Sequence, residues 1–402
     1  MPALPEHYSA QPTESAELSQ RAKRRLANKE LQKACKRRRT VYRGNQANLR
    51  DKYGIKITGA LRVHVEEAVY PPRTLQRATG GPTKKTPMVQ GGQWEQLTLR
   101  PLKTLLEAGN ITHAAIPNPN FKADANSCRF AALRFNDCVR EDQQAALIKR
   151  IEAVKDLGAN FEVTSAHGTS FQQLWIGNWK PYTAAPRVAK GGCASLGTPL
   201  DAGLAELVKE IHPIMQDRPA QLLEQLDPDA ARRMRFNHQI VAKAMAASVH
   251  LQKEKNQQWH AEDASRKNTS RFRLGGMGSM LAVSISTAKG TDFHYDNNDD
   301  GHVYSAIVVL GADGNLHLPD VGYKVHVKKG SVVFFPANQL LHKLDIDENA
   351  GANAKQFVLT FWTDKRSMEY LQANKHKEDF YGVSELDDDE PLKHLMKDCY
   401  IV

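Results

Sequence analysis

Cysteine is scarce in this sequence, and no two cysteines stand at a spacing that would hold a metal ion. The 402 residues include five, all far apart: Cys35, Cys128, Cys138, Cys193 and Cys399. Structural zinc sites need cysteines or histidines at short spacing, so none is predicted. An odd, dispersed set predicts reduced thiols, as in the cytosol or nucleus, rather than a disulfide framework.

Long apolar runs are also missing. No stretch approaches eighteen apolar residues, so we expect no membrane span. Residues 1–20 have neither the basic nor the apolar segment of a secretory signal. The composition is that of an ordinary globular protein, 41% hydrophobic and 25% charged. A chain of this length predicts one large domain with extensions.

Positive charge is concentrated at the N-terminus. Residues 1–50 contain twelve Lys and Arg against four Glu, so +8 of the net charge of +10 lies there. We call residues 1–55 the basic arm and expect it to be disordered or conditionally helical, because its run Arg21–Arg39 has helix formers but almost no apolar face. This run is typical of segments that bind DNA phosphates or the import machinery, which predicts a nuclear protein; the alternative is a solvated tail.

Two regions follow the basic arm. Residues 56–125 predict an irregular linker with short packed segments, since Pro71–Gly92 is dense in Pro, Gly, Thr and Lys, whereas residues 55–70 alternate like a strand. Residues 126–402 predict the folded domain. Within it we expect helical support over 126–270, a β-rich core over about 271–370 and a C-terminal extension over 371–402.

Three helices are predicted in the supporting region. The first covers residues 142–158, with Gly158 suited to its C-terminal cap. The second begins with Thr198 as N-cap and Pro199 in the first turn, and the third spans Ala230 to about Leu251. Their apolar stripes predict packing against a sheet. The stripe residues are Leu147, Ile148, Ile151, Val154, Leu204, Leu207, Val208, Ile211, Ile240, Val241, Met245 and Val249.

From Leu274 onward the sequence changes to short β-branched and aromatic runs. These are MLAVSIST, VYSAIVVL, YKVHVKK, SVVFFPA and QFVLTFW, with turns predicted at residues 313–315 and 329–330. Short strands at near-regular spacing, preceded by helices, predict an α+β fold. The expected architecture is a double-stranded β-helix, or jelly-roll, with helical buttresses.

A His-x-Asp pattern follows the first of these strands. Residues i and i+2 of an extended chain point the same way, so His294 and Asp296 can face one centre, and His342 adds a ligand from a neighbouring strand. Two histidines and one carboxylate leave adjacent positions open for oxygen and a cosubstrate, as non-haem iron(II) requires. His-x-Asp alone also fits a surface turn, but the strand-like runs between Asp296 and His342 favour the metal site.

The segment GNLHLPDVGYKVHVKKGSVVFFPANQLLHKL resembles the TET/JBP-type dioxygenases, in particular their fungal members. That family has a Gly-Asp/Asn-Leu-x-Leu-Pro-Glu/Asp-hydrophobic-Gly stretch, then Pro/Lys-Gly-Asp/Ser-Val and the distal iron histidine, which corresponds to His342. HYDNNDD resembles the family's proximal HxDxxDD stretch. The resemblance is clear over roughly Leu281–Lys365 and faint upstream.

What the resemblance implies is a dioxygenase domain that holds Fe(II) at His294, Asp296 and His342. Such enzymes use 2-oxoglutarate and O2 and release succinate and carbon dioxide, and ascorbate is an expected auxiliary reductant. The implied reaction hydroxylates a methyl group on a modified DNA base, with 5-methylcytosine converted to 5-hydroxymethylcytosine and further oxidised forms as the first expectation. DNA is then the partner, expected as a duplex with the target base flipped out.

The resemblance also implies three base-contacting positions. Trp362 falls where an aromatic side chain stacks on the flipped base, although it equally fits core packing at a strand end. Asp299 and Asp364 fall where polar residues contact the base edge, and ionised aspartates would accept from an exocyclic amino group. Both cytosine and adenine offer such a group, so the preferred base stays open.

One position departs from the family pattern. The family arginine that holds the 2-oxoglutarate carboxylate opens the last strand, where this chain has Gln356, which supplies no charge. Lys289 or Lys355 are the replacements we expect, with Lys289 preferred because the strand before the His-x-Asp pattern lines the pocket. Alternatively, the cosubstrate is not 2-oxoglutarate, or the iron is used differently.

Three other functions stay open at this point. The same chemistry would demethylate 6-methyladenine in DNA, the same barrel and triad occur in protein hydroxylases of the prolyl type, and a degenerate barrel would be a non-catalytic DNA-binding module. The basic arm and the LPDVG segment favour DNA. The complete triad favours catalysis, whereas Gln356 favours degeneracy.

Overall fold

A computed structural model describes residues 61–70, 97–106, 112–122, 126–164, 171–180, 187–189, 191, 198–238, 274–287, 290–351 and 354–374. The basic arm, Pro71–Gly92 and residues 375–402 lie outside the described residues. The structural statements below concern the described part of the chain.

The described residues include fourteen strands and four α-helices that are described over their full length. The strands are β1 (Val63–Val65), β2 (Lys103–Leu105), β3 (His113–Pro117), β4 (Phe130–Phe135), β5 (Glu162–Thr164), β6 (Phe171–Trp179), β7 (Arg187–Val188), β8 (Met280–Ser286), β9 (Ser305–Leu310), β10 (Gly314–Leu318), β11 (Tyr323–Val327), β12 (Val332–Phe335), β13 (Lys343–Ile346) and β14 (Gln356–Trp362). The helices are α1 (Glu141–Asp156), α2 (Pro199–Gln216), α3 (Arg218–Leu226) and α4 (Lys365–Asn374).

The strands lie in two sheets. The first has the order β1-β3-β4-β12-β9-β14-β8-β6-β5, with β7 paired to β6, and the second has the order β13-β10-β11-β2. Antiparallel pairs dominate both, and the parallel pairs are β1 with β3 and β2 with β11. The protein is thus an α+β protein with a double-stranded β-helix core.

Side-chain alternation along the central strands divides the apolar core into two layers. On β14, Phe357 and Phe361 join the cluster that includes the helical stripes, whereas Val358 joins the cluster of the second sheet. Val332 and Val333 of β12 divide in the same way. One face of the first sheet therefore packs against the helices, and the other face packs against the second sheet. Burial of each Phe or Val side chain stabilises the folded state by about 1.5–3 kcal/mol.

Most of the predicted elements are confirmed. The runs from Met280 onward form β8, β9, β11, β12 and β14. Gly330 makes the expected turn with a φ of +80°, which glycine adopts without strain. The Thr198 side chain accepts from the Asp201 amide at 3.2 Å and caps α2 as predicted. Residues 228–238 are helical, while the rest of the predicted third helix lies outside the described residues.

The region from 126 to 270 differs from the expectation of helical support, because it also contributes strands. β4 is buried at all six positions, so its sequence FAALRF shows none of the alternation that marks a half-exposed strand. β6 and β4 extend the first sheet on opposite sides of its centre. Among the described helices, none is long and apolar enough to cross a membrane.

His113 in β3 makes stability depend on pH. Burial, together with the nearby Arg218 and Arg134, lowers its pKa to about 4 against the opposing effect of Asp137. Because an unfolded histidine titrates near 6.5, the unfolded chain binds a proton between pH 6.5 and 4 that the folded chain does not, and stability falls as pH falls through this window. We expect the free energy of unfolding to be roughly 2–3 kcal/mol lower at pH 4.5 than at pH 7.

Urea unfolding at the two pH values measures this loss. His113→Gln removes the titrating group, so the difference between pH 7 and 4.5 should shrink by that amount in the variant. An unchanged difference would assign the acid sensitivity to other groups.

Candidate metal centre and its pocket

The two histidines of the predicted triad face each other across a β-bridge. The segment before His294 runs antiparallel to β13, and the His294 and His342 backbones exchange N–H···O bonds of 2.9 and 3.0 Å. Their rings lie with centroids 4.2 Å apart. Directly opposed residues in such a bridge have their side chains on the same face, so the pairing itself brings the two imidazoles together.

Asp296 completes the group. Its carboxylate oxygens lie 3.6 Å from Nε2 of His294 and 3.6 Å from Nε2 of His342. Each of the three residues offers a ligand atom that lies within 4.8 Å of the other two. In the described part of the chain, no other group of His, Cys, Asp or Glu side chains meets this condition. Cis ligands about 2.1 Å from an octahedral ion are about 3 Å apart, so a small contraction would let these atoms hold a metal. The donor set fits ferrous iron.

Backbone carbonyls fix the tautomer of both histidines. Nδ1 of His294 lies 2.7 Å from the Asp292 carbonyl oxygen, and Nδ1 of His342 lies 2.9 Å from that of Leu340. A carbonyl only accepts, so each Nδ1 must carry the proton and each Nε2 keeps its lone pair for a metal. In both histidines, Nδ1 contacts the backbone carbonyl of the residue two positions earlier in the sequence.

Backbone and side-chain hydrogen bonds from the segment after β12 join the His-x-Asp loop to the segment that carries His342. The Asp296 amide donates to the Ala337 carbonyl at 3.1 Å, and the Asn338 amide nitrogen donates to the Asp299 carbonyl at 3.0 Å. Gln339 donates to the Gly301 carbonyl at 2.7 Å. The Pro-Ala-Asn-Gln stretch therefore holds the His-x-Asp loop against the strand that carries His342.

Asp320, the aspartate of LPDVG, supports the metal site from behind. Its Oδ2 accepts from the Leu341 amide at 2.7 Å and from the Tyr295 hydroxyl at 3.4 Å. These two residues are direct neighbours of His342, His294 and Asp296. Asp320 is buried. It is a positioning residue that connects the His-x-Asp loop to the segment that carries His342.

Asp320→Ala should weaken ferrous binding by about 10–100-fold, as loss of an outer-shell partner does at other metal sites. The measurement is an anaerobic Fe(II) titration. Asp320→Asn retains an acceptor for the Leu341 amide and should bind more tightly than the alanine variant. Equal affinities in all three proteins would show that Asp320 serves only the fold.

A cavity of about 340 Å³ lies between the sheets and includes the triad in its wall. Its apolar wall includes Phe335, Ile307, Leu316 and Leu344. One end is deeply buried, where Gln356 pairs with Ser286 across β14 and β8. The other end is more exposed and lies where Trp362 leads into α4. Such a volume suits a small ligand or an extruded base.

Three tryptophans line the exposed end. Trp175 and Trp179 of β6 have ring centroids 5.0 Å apart, and Trp175 and Trp362 of β14 have centroids 5.7 Å apart, both in edge-to-face contact. Gly177, with a φ of +120°, lies between the β6 pair, and a Cβ there would be 2.3 Å from the Ser279 carbonyl oxygen. The predicted Trp362 is thus part of a larger aromatic wall.

The two predicted base-contacting aspartates also line the pocket, but with different hydrogen-bond partners. Burial raises the pKa of the Asp299 carboxyl well above its usual range, as does the neighbouring Asp296, against the opposing Ser305 hydroxyl. A raised pKa favours the neutral acid, which can donate as well as accept a hydrogen bond.

Asp364 acts as a helix cap. Its Oδ2 accepts from the Ser367 amide at 2.8 Å, the Ser367 hydroxyl at 2.7 Å and the Lys180 amide at 2.9 Å. Burial raises the pKa of this carboxyl, and the hydrogen bonds oppose the shift. This oxygen is therefore occupied by α4 and the end of β6, which the sequence pattern did not indicate.

Of the expected cosubstrate ligands, Lys355 needs correction, because it is not part of the pocket wall. Lys355 lies on the face of β14 opposite the pocket, 2.6 Å from the Glu152 carboxylate of α1. Gln356 does face the pocket, but its amide nitrogen donates to the Ala312 and Asp313 carbonyls at 3.4 and 3.1 Å. Strand alternation separates these two neighbours. Lys289 lies outside the described residues, so its role stays a prediction.

Residues that sequence reasoning missed include Trp175, Trp179, Gln173, Ser284 and Ser286, all in the pocket wall. Ser284 and Ser286 alternate with apolar residues in MLAVSIST, so the strand's period of two marked them as facing a common side. β6 gave no comparable signal, because no metal ligand lies near it in sequence.

Comparisons with known proteins show a distant likeness in structure. No protein-family model and no curated protein matches the sequence. NgTET1 in complex with 5mC DNA is 12% identical, with 85% of this chain and 99% of that chain covered and a TM-score of 0.43. OsALKBH1 is 13% identical, with 58% and 96% covered and a TM-score of 0.34. A Pseudomonas putida prolyl-4-hydroxylase is 12% identical, with 59% and 93% covered and a TM-score of 0.28.

Proposed function

We propose that this chain is a ferrous-iron dioxygenase that hydroxylates a methyl group on a DNA base, with 2-oxoglutarate or a related 2-oxo acid as cosubstrate. The observation that carries the proposal is the meeting of His294, Asp296 and His342, with each histidine Nδ1 at a backbone carbonyl and each Nε2 facing the Asp296 carboxylate. Iron held this way supplies the activation of O2 that an unreactive methyl C–H bond requires.

The protein's own contribution is to position the ligands and exclude water. The bridge between His294 and His342 and the carbonyls behind their rings hold the ligand atoms in place. Phe335, Ile307 and Leu344 make the surrounding wall apolar. A dry, pre-arranged site strengthens the electrostatic contacts within it.

The exposed end of the pocket suits a planar ring. Trp175, Trp179 and Trp362 offer an aromatic wall for stacking, which is largely independent of base identity. Asp299 lines the same end and, as a neutral acid or a carboxylate, can contact a base edge. We expect Asp299 rather than Asp364 to read the base, because Oδ2 of Asp364 already accepts three hydrogen bonds, whereas Oδ2 of Asp299 accepts one, from the Ser305 hydroxyl.

Cations next to this end would meet a phosphate backbone. Lys180 follows Trp179 and Lys365 follows Asp364, so both adjoin residues of the pocket wall, and Arg366 is one residue further along the chain. Lys and Arg on such a rim add sequence-independent affinity for DNA. The basic arm would add to it, and would direct the chain to the nucleus.

The test incubates the pure protein with Fe(II), O2, ascorbate, 2-oxoglutarate and duplex DNA that carries either 5-methylcytosine or 6-methyladenine. Mass spectrometry should detect 5-hydroxymethylcytosine in the first DNA. Loss of the methyl group from adenine alone would move the function to 6-methyladenine demethylation. Consumption of the cosubstrate without an oxidised base would favour a protein substrate, and DNA binding without turnover in any assay would favour a non-catalytic module.

A further inference from the structure

The buried end of the pocket is lined by neutral hydrogen-bonding side chains. Ser286 lies opposite Gln356 in the β8–β14 register, and Ser284 lies opposite Gln173 in the β6–β8 register. All four line the pocket, and Ser284, Ser286 and Gln356 are at most 9% exposed. Val358 fills the next inward position on β14.

This end lies beyond the metal site along the second sheet. β13 runs from Lys343, next to His342, to Ile346, which pairs with Gly314 of β10. A Cβ on Gly314 would lie 2.8 Å from the Gln356 amide nitrogen. A ligand that chelates the metal and extends along β13 would therefore bring its far end to the four neutral side chains.

The groups at this end are already oriented by hydrogen bonds. The Gln173 amide donates to the Ser284 hydroxyl at 3.1 Å, which leaves the Ser284 proton to point elsewhere. The Gln356 amide nitrogen is directed at the two turn carbonyls. Reversing the Gln356 amide would set its oxygen against those carbonyls, so its nitrogen is not turned toward a ligand.

Such surroundings discriminate between charged and uncharged ligand ends. A carboxylate loses its hydration on entering a buried site and regains that energy only beside a cation or several strong donors. An amide or hydroxyl has less to lose, and it both donates and accepts, as the serine hydroxyls do. The side chains described at this end match the second kind of group.

We propose that the buried end selects a 2-oxo acid whose far end is uncharged and hydrogen-bonding, held by Ser284 and Ser286, in preference to the dicarboxylate 2-oxoglutarate. The inference rests on the proposed function, since it assumes that a 2-oxo acid chelates the metal. It assigns Gln356 a structural role in the turn between β9 and β10.

Isothermal titration of the anaerobic, Fe(II)-loaded protein tests this without turnover. The probes are 2-oxoglutarate and the open-chain form of its 5-amide, which have nearly the same shape, with the amide concentration corrected for its cyclic form. The 5-amide should bind about tenfold more tightly, and Ser284→Ala with Ser286→Ala together should weaken it by about tenfold, the effect of losing one or two hydrogen bonds. Gln356→Arg should reverse the preference, because it places a cation beside the far end.

Lys355→Ala is the matched control and should change neither affinity, because Lys355 lies on the other face of β14. Tighter binding of 2-oxoglutarate than of its amide, lost in Lys289→Ala, would overturn the inference and leave the proposed function standing. Failure of both probes to bind while Fe(II) still binds would overturn the 2-oxo-acid function itself, and the inference with it.

Discussion

Replacing any member of the triad with alanine is expected to abolish methyl hydroxylation. A β-bridge holds His294 next to His342, and the Asp296 carboxylate lies 3.6 Å from Nε2 of each histidine. Removing one of the three side chains leaves two ligands for the metal. Outer-shell partners alone change metal affinity or activity by roughly 10–100-fold, and loss of a ligand should exceed this range. The readout is oxidised base per protein, measured by mass spectrometry at saturating Fe(II).

Matched substitutions on the same sheets separate this effect from general damage. His317 and Asp345 form a pair of 3.2 Å on the second sheet, outside the pocket wall. His317→Ala and Asp345→Ala should keep most of the turnover. If Asp296→Ala also kept turnover, the reaction would have to occur elsewhere in the chain.

The second large effect is expected from Gly290→Ala. A Cβ at this position would lie 1.5 Å from the Leu344 carbonyl oxygen and 2.7 Å from the Asp345 Cα, both backbone atoms. The chain cannot accept it without moving the segment that carries Thr291 and His294 away from β13. Overpacking of this kind costs about 1–3 kcal/mol, and occasionally more. We therefore expect a lower Tm together with loss of ferrous binding.

Gly203→Ala in α2 is the matched control. A Cβ there would meet only side-chain carbons of Leu157 and Val154, at 3.1 and 3.4 Å, and alanine favours a helix over glycine by up to about 1 kcal/mol. This variant should retain its Tm and metal affinity. Wild-type ferrous affinity in Gly290→Ala would mean that the close approach of the two strands does not set the triad.

Strand periodicity predicted the barrel core well, because each core strand packs one face against one apolar layer and the other face against the second. QFVLTFW forms β14 over its full length, and MLAVSIST forms β8 except for its last residue. The i, i+2 rule together with a third histidine after a strand was enough to bring His294, Asp296 and His342 together. These patterns depend on residues that are close in sequence, and they hold in the folded chain.

Sequence reasoning was weaker where a contact joins distant segments. Lys355 was a plausible carboxylate ligand until strand alternation and its pairing with Glu152 placed it outside the pocket. Asp364 matched a base-contacting position, yet its oxygen caps α4 and receives the Lys180 amide 184 residues away in sequence. The contribution of Trp175 depended on knowing that β6 pairs with β8.

The buried strand β4 shows a second limit. All of FAALRF lies inside, and Arg134 within it is 1% exposed because its guanidinium donates to the Leu105 and His326 carbonyls at 2.8 and 2.9 Å. An arginine in an apolar run does not indicate burial from sequence. Only the carbonyls that surround it in the folded chain explain its position.

Ferrous binding at the triad is the property on which the proposed function depends most directly, and an anaerobic equilibrium titration with Fe(II) measures it. We predict one equivalent bound per wild-type chain and none at the same site in a His294→Ala, His342→Ala double variant that keeps the wild-type Tm. No uptake by the wild type, or one equivalent retained by the folded double variant, would contradict the assignment of the metal centre.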